Sequence, residues 1–201
     1  MTQFWLGRIL GAAFVLASAG GLLASCDTPP HRDPFPQLTY AHLGPINLDV
    51  AQIVIVDAYQ APMTDPYVEQ DFPTPPATAA RQWAQDRLKA VGSDGVAKFT
   101  ITDGSAIDVK LPRTTGIDGI ITQDQSDRYD VTVTVRLDVE NRMGNHRGSI
   151  TATAKRSETA AEDMTLNERE KLWFEMTDQL MQQLNAELEK QIGKNLKDFV
   201  R

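Results

Sequence analysis

The chain is poor in the residues from which reactive sites are usually built. Its 201 residues include one cysteine, Cys26, and three histidines, His31, His42 and His146. A single thiol excludes an internal disulfide and leaves that cysteine needing another explanation. Scattered histidines and no second cysteine exclude the common zinc spacings. Asp124, Asp127 and Asp130 are spaced by threes, and Glu158, Glu162 and Asp163 form a second acidic cluster. Neither has the glycine turn and terminal glutamate of a calcium loop, so both read as solvated acidic segments. Phosphate-cradling glycine loops and a G-x-S-x-G elbow are absent. His146 falls in an expected turn beside Arg142 and Arg147, and His42 has no evident nucleophile for a partner. The reading is a non-enzyme, with no catalytic residue, no cofactor and no metal.

Basic charge is also short. Lys and Arg number 20 against 27 Asp and Glu, a net of −7. Arg8 is the only charge before Cys26, so the remainder keeps 19 basic and 27 acidic side chains, a net of −8. Such a surface repels phosphate backbones, which excludes nucleic acid as the expected partner. It gains nothing from anionic headgroups either. The longest apolar run, Ile9 to Leu23, is 15 residues. That is short of the roughly 20 a spanning helix needs.

What is present begins with that run. A positive Arg8, an apolar stretch and then Leu23-Ala24-Ser25-Cys26 have the parts of an export signal. The segment resembles the precursors of bacterial lipoproteins, with Leu23-Ala24-Ser25-Cys26 as the lipobox. The resemblance implies removal of residues 1–25 and a lipid on the Cys26 thiol, which becomes the sole attachment to the membrane. It also implies a periplasm-facing position, with Asp27 favouring the inner membrane over the outer. Residues 26–37 hold four prolines and read as an extended tether to a single domain at 38–201. The mature part is similar to small uncharacterised lipoproteins of proteobacteria, and its layout to auxiliary lipoproteins of envelope transport systems.

Within the domain the periodicities change in a clear order. Ile46–Val56 reads as a strand, with the β-branched run Ile53-Val54-Ile55-Val56 suited to an interior position or one covered on both faces. Residues 57–76 form a long proline-bearing connection whose aromatics pack along the domain edge. Thr74-Pro75 predicts a helix start, and Ala80, Ala84, Leu88 and Val91 with Trp83 continue it to a glycine cap at Gly92. Residues 96–111 are strand-like on both sides of Asp103-Gly104-Ser105, as a hairpin or as one bent strand. Residues 114–127 are expected to be irregular, with Ile117, Ile120 and Ile121 turned inward. Tyr129–Val139 alternates strictly, and Ile150–Lys155 alternates in return after a turn at 141–148. An acidic connector over 157–163 leads to a capping box at Thr165–Glu168 and a long helix. Leu172, Met176, Leu180, Leu184, Leu188 and Ile192 line its apolar stripe. The fold class is α+β: a two-layer sandwich of a mainly antiparallel sheet with two helices on one face.

These features suggest an accessory or interaction subunit that docks with an envelope protein. Adjacent Trp173 and Phe174 point about 100° apart on a helix, so one of them is a candidate for a partner surface. Tyr67 and Phe72, in the long connection, are the other candidates. A carrier or sensor of an apolar envelope ligand is the alternative, with a pocket between sheet and helices as its hallmark; other small-molecule ligands are not expected.

Overall fold

The alternation centred on Tyr129–Val139 builds the backbone of the sheet. The computed structural model describes residues 35–112, 125–141 and 146–201. In it the strict period-two segment extends to β6, Gln125–Asn141. Val131, Val133, Val135, Leu137 and Val139 are buried on one side, and the intervening Thr, Arg and Asp point away. The returning strand, β7, runs His146–Ala161 and pairs antiparallel with β6 along its whole length, Asn141 opposite His146 and Gln125 opposite Ala161. Ser157–Ala161, expected as a connector, is therefore strand. The long β6 supplies ladder partners as far as Gln125, and pairing overrides the polar composition.

The other edge of β6 is shared. Val96–Asp103 (β4) pairs with its second half and Ala106–Lys110 (β5) with its first half, both antiparallel. The Asp103-Gly104-Ser105 segment is thus an interruption in one bent strand and not a hairpin. Thr132 N–H still reaches the Ser105 carbonyl at 2.9 Å across the break, and the register slips between Ile101 and Asp103. Outside β4 lies β2, Gln52–Asp57, parallel to it. The run Ile53–Val56 is therefore at the sheet edge and half-buried, not interior. Ile46–Leu48 (β1) separates from it, because the chain turns at Val50, whose N–H bonds the Leu48 carbonyl. It pairs instead with Leu88–Ala90 (β3) in a small parallel sheet.

A parallel β2–β4 pair needs a crossover, and α1, Pro76–Arg87, lies within it. It starts at Pro76 without a side-chain cap, and Thr74 uses its carbonyl to accept from Thr177 Oγ1 at 3.1 Å. It ends at Leu88 in extended backbone, before Gly92, so Val91 is outside the helix and exposed. Gly92 serves another purpose: a side chain there would strike the Asp49–Val50 backbone. The long helix α2, Leu166–Asn195, has the expected capping box. Glu168 N–H donates to Thr165 Oγ1, and Thr165 N–H to the Glu168 carboxylate at 2.8 Å.

Both helices lie on the same face of the sheet, giving the α+β two-layer sandwich. Between the layers Trp83 stacks on Phe99 at 5.8 Å, and Trp173 meets Tyr129 edge-on at 5.3 Å. Met176, Leu180, Met181, Leu184 and Leu188 fill the interface from α2. The helices run side by side in the same direction, tied by Trp83 to Asn185 and by Arg87 to Glu189. The expected isoleucines 117, 120 and 121 and residues 142–145 of the expected 141–148 turn lie outside the described residues, while Asn141 and His146–Gly148 are strand and not turn. No helix of the described residues is long and apolar enough to cross a membrane.

Candidate functional site

The helices cover one face of the sheet and no described element forms a second layer on the other. Alternation makes that outer face polar. From β4 come Lys98, Thr100 and Thr102; from β6, Thr132, Thr134, Arg136 and Asp138; from β7, Arg147, Ser149, Thr151, Thr153 and Lys155. Register sets them in rows: Thr134 opposite Thr153, their hydroxyls 3.1 Å apart, and Thr100, Arg136 and Thr151 across three strands.

Its carboxylates are held by neighbouring guanidinium groups. Arg136 grips Asp138 with two nitrogens, Nε at 2.9 Å and Nη2 at 2.7 Å. That pairing, with help from Ser149, holds the Asp138 carboxyl below the usual carboxylate range. Arg128 does the same for Asp130 against the effect of burial. Arg147 lies 3.5 Å from Glu140. Lys98 and Lys155 make no salt bridge among the described residues. Lys98 stands opposite Asp138 in the ladder, and its charge also helps hold that carboxyl down.

Two shallow clefts lie on it. One, of about 520 Å³, is bounded by Lys98, Arg136, Asp138, Arg147 and Ser149. The other, of about 550 Å³, has Thr132, Thr134 and Thr153 on its floor and Tyr59 and Tyr67 on its wall. The wall is fixed from beneath. Glu69 is buried, accepts the Tyr59 hydroxyl at 2.6 Å, and takes the Ala106 N–H at 3.2 Å on its other oxygen. Burial and this hydrogen bond push the Tyr59 phenol well above its ordinary pKa. Tyr67 is bridged to Ile107 by backbone pairing. The 57–76 connection is therefore moored across the end of the sheet. Glu69 had no sequence signal: an acid in a proline-rich connection reads as solvated.

The four aromatic candidates separate. Tyr67 is half-buried on the cleft wall. Phe72 and Trp173 are in the core, stacked on one another at 5.0 Å, and present no surface to a partner. Phe174 is half-buried and already covered by Phe35, 5.2 Å away in a stacked arrangement. That contact corrects the tether: its last residues pack on the domain. Cys26 lies outside the described residues. His42 and His146 are both exposed, His146 edge-on to Phe199 at 6.4 Å. Asp127, expected in a solvated acidic segment, is instead buried, bonded by Lys110 at 2.7 Å and Ser126 at 2.8 Å. No group of acidic, histidine or cysteine side chains among the described residues could hold a metal ion. The outer face offers hydroxyls, ion pairs and the Lys98 and Lys155 ammonium groups, which suits broad contact.

No protein-family model and no curated protein matches the chain. Among solved structures it is similar to a DUF330 protein from Xanthomonas campestris, at 10% identity and a TM-score of 0.28, over 80% of this chain and 95% of that one. The PelC dodecamer from Paraburkholderia phytofirmans gives 10% identity and a TM-score of 0.25, over 70% and 92%.

Proposed function

We propose that this chain is a lipid-anchored, non-enzymatic accessory lipoprotein of the cell envelope. Cys26 attaches it to the inner membrane, and a partner protein docks on the outer face of its sheet. One observation carries the reading: the sheet buries its apolar side under two helices and leaves a hydroxyl-rich face, three strands wide, without a second layer among the described residues. Buried area and complementary contacts on such a face supply recognition without a reactive group. The lipobox supplies the location, and two or three acyl chains make attachment effectively permanent at about 0.8 kcal/mol per methylene. An apolar carrier fits less well. The clefts are on the polar face, whereas the space between the layers holds the stacked Trp83–Phe99 and Phe72–Trp173 pairs.

The test is photocrosslinking in native membranes. A photoreactive residue at Thr153 should yield adducts with an envelope protein, and one at Gln179, exposed on α2, should not. Cys26→Ser should abolish lipidation and lipoprotein-type cleavage. Recovery of a lone monomer from Thr153 would defeat the docking face, and an unlipidated wild-type Cys26 would defeat the anchor.

A further inference from the structure

The last residues of the tether form a strap, and the strap has a definite course. Phe35 stacks on Phe174 of α2. Leu38 packs against the core. The Tyr40 N–H donates to Asp86 Oδ2 at 2.7 Å, and the Thr39 hydroxyl to the same oxygen at 3.1 Å. Gln82 bonds the other oxygen of that carboxylate at 2.8 Å. The Tyr40 ring is buried, with Asp178 of α2 and Asp86 of α1 both close enough to push its phenol up. Beyond it, Arg87 donates to the Leu43 carbonyl.

These contacts fall on one line. At 100° per residue, Phe174, Asp178, Asn185 and Glu189 occupy a sector of about 60° on α2. Asn185 and Glu189 are the residues that bond α1, so this sector faces α1. Phe35 to Leu43 therefore runs along the seam between the helices. The sheet fills the inner side of that seam, so the strap lies on the side away from the sheet.

We propose that the strap sets the orientation of the domain on the membrane: the helical layer faces the bilayer and the open sheet face is turned outward. This rests on the lipid anchor at Cys26. Only nine residue steps separate Cys26 from Phe35, a reach of at most about 30 Å. A free tether ending at the domain surface would let either face approach the bilayer. A strap bonded along the helix seam starts that reach on the helical side, and the sheet face lies a whole layer further away. The helical layer does not oppose this arrangement electrostatically, because α1 carries a net side-chain charge of +1 and α2 of −2. The outer sheet face, with its threonine rows and the Lys98 and Lys155 ammonium groups, is then the surface that a partner extending from the membrane can reach.

The experiment uses the lipidated protein reconstituted in phosphatidylcholine vesicles carrying a rhodamine-headgroup lipid. A donor dye is placed on Glu175→Cys, on the helical side, or on Thr153→Cys, on the sheet face; the acylated Cys26 thiol is silent to the label. Energy transfer should be markedly higher from position 175 than from position 153. In the Phe35→Ala, Phe174→Ala background the difference should narrow, because the free tether lengthens while Thr39 and Tyr40 stay bonded to Asp86, with circular dichroism confirming the fold. Equal transfer from both positions in the otherwise native strap overturns the orientation, as does a difference that the double substitution leaves unchanged. Mass spectrometry distinguishes the underlying reading: a wild-type Cys26 without lipid sinks the anchor itself and the orientation with it.

Discussion

The indole N–H of Trp83 donates to Asn185 Oδ1 at 2.9 Å, joining the two helices across 102 residues of chain. Trp83 is completely buried and Asn185 is half-buried. Asn185→Ala leaves the indole N–H without a partner, at a cost of about 1–3 kcal/mol. Trp83→Phe keeps a ring on Phe99 and leaves Asn185 able to turn to water. In a double-mutant cycle by urea unfolding the two changes should couple. Additive costs would show that the bond contributes nothing to the helix pairing.

Glu69 holds the Tyr59 wall of the larger cleft. Glu69→Ala strands the Tyr59 hydroxyl and the buried Ala106 N–H, and should destabilise by about 2 kcal/mol. Glu69→Gln keeps an acceptor and should cost less. Tyr59 fluorescence would be more accessible to acrylamide in the alanine variant. Unchanged quenching would mean that the ring is held by packing alone.

Asp127 gives a pH signature. Burial alone would raise its pKa, but hydrogen bonds from Lys110 and Ser126, with the Arg169 charge, hold it below the ordinary value of 3.8. A carboxyl depressed in the folded state stabilises above its unfolded pKa, and that share is lost as pH falls through the folded pKa. Lys110 is the reverse: its bonds to Asp108 and Asp127 push it up to about 12 from 10.5. Its share is present below its unfolded value and fades as pH rises through the folded one. Asp127→Asn should therefore be less stable than wild type at neutral pH, with the gap closing below about pH 4. A gap that persists at low pH would assign the loss to packing.

Two glycines with positive φ separate strain from space. Gly44, at φ 79°, has nothing within 4 Å of the position a Cβ would take. Gly95, at φ 86°, would drive a Cβ into the Glu140 carbonyl oxygen at the end of β6. Gly44→Ala should cost about 1–3 kcal/mol from backbone strain alone, because φ 79° with ψ 161° is a region essentially reserved for glycine. Gly95→Ala should cost more, because a ladder strand must also move. Equal melting temperatures for the two variants would contradict this.

The parts read correctly from sequence were those where one local pattern has one physical outcome. The alternation at Tyr129–Val139 put apolar residues on one side of a strand, and they are buried. Thr165 and Glu168 formed their capping box, because both halves of it lie within one helical turn. The helix start at Thr74 and the cap at Gly92 were misread for a common reason. The helix starts one residue later, with Pro75 at the cap position and the Thr74 carbonyl accepting from Thr177, and Gly92 serves a close approach to Asp49; both partners are more than 40 residues away. The candidate surface suffered in the same way. Phe72 and Trp173 could not be seen to stack on one another, nor Phe35 to cover Phe174.

By itself, the sequence determined the polar and apolar sides of β6 and β7, the presence of two helices and the placing of the only cysteine at the end of an apolar run. Each depends on residues within a few positions of one another, where side-chain period and backbone geometry act directly. Tertiary structure alone decided that β4 and β5 share one edge of β6, that β2 lies outermost, and that Phe35 and Tyr40 settle on the helices. Those outcomes depend on which distant surfaces bury one another, and burial between elements leaves no period in the chain that records its partner.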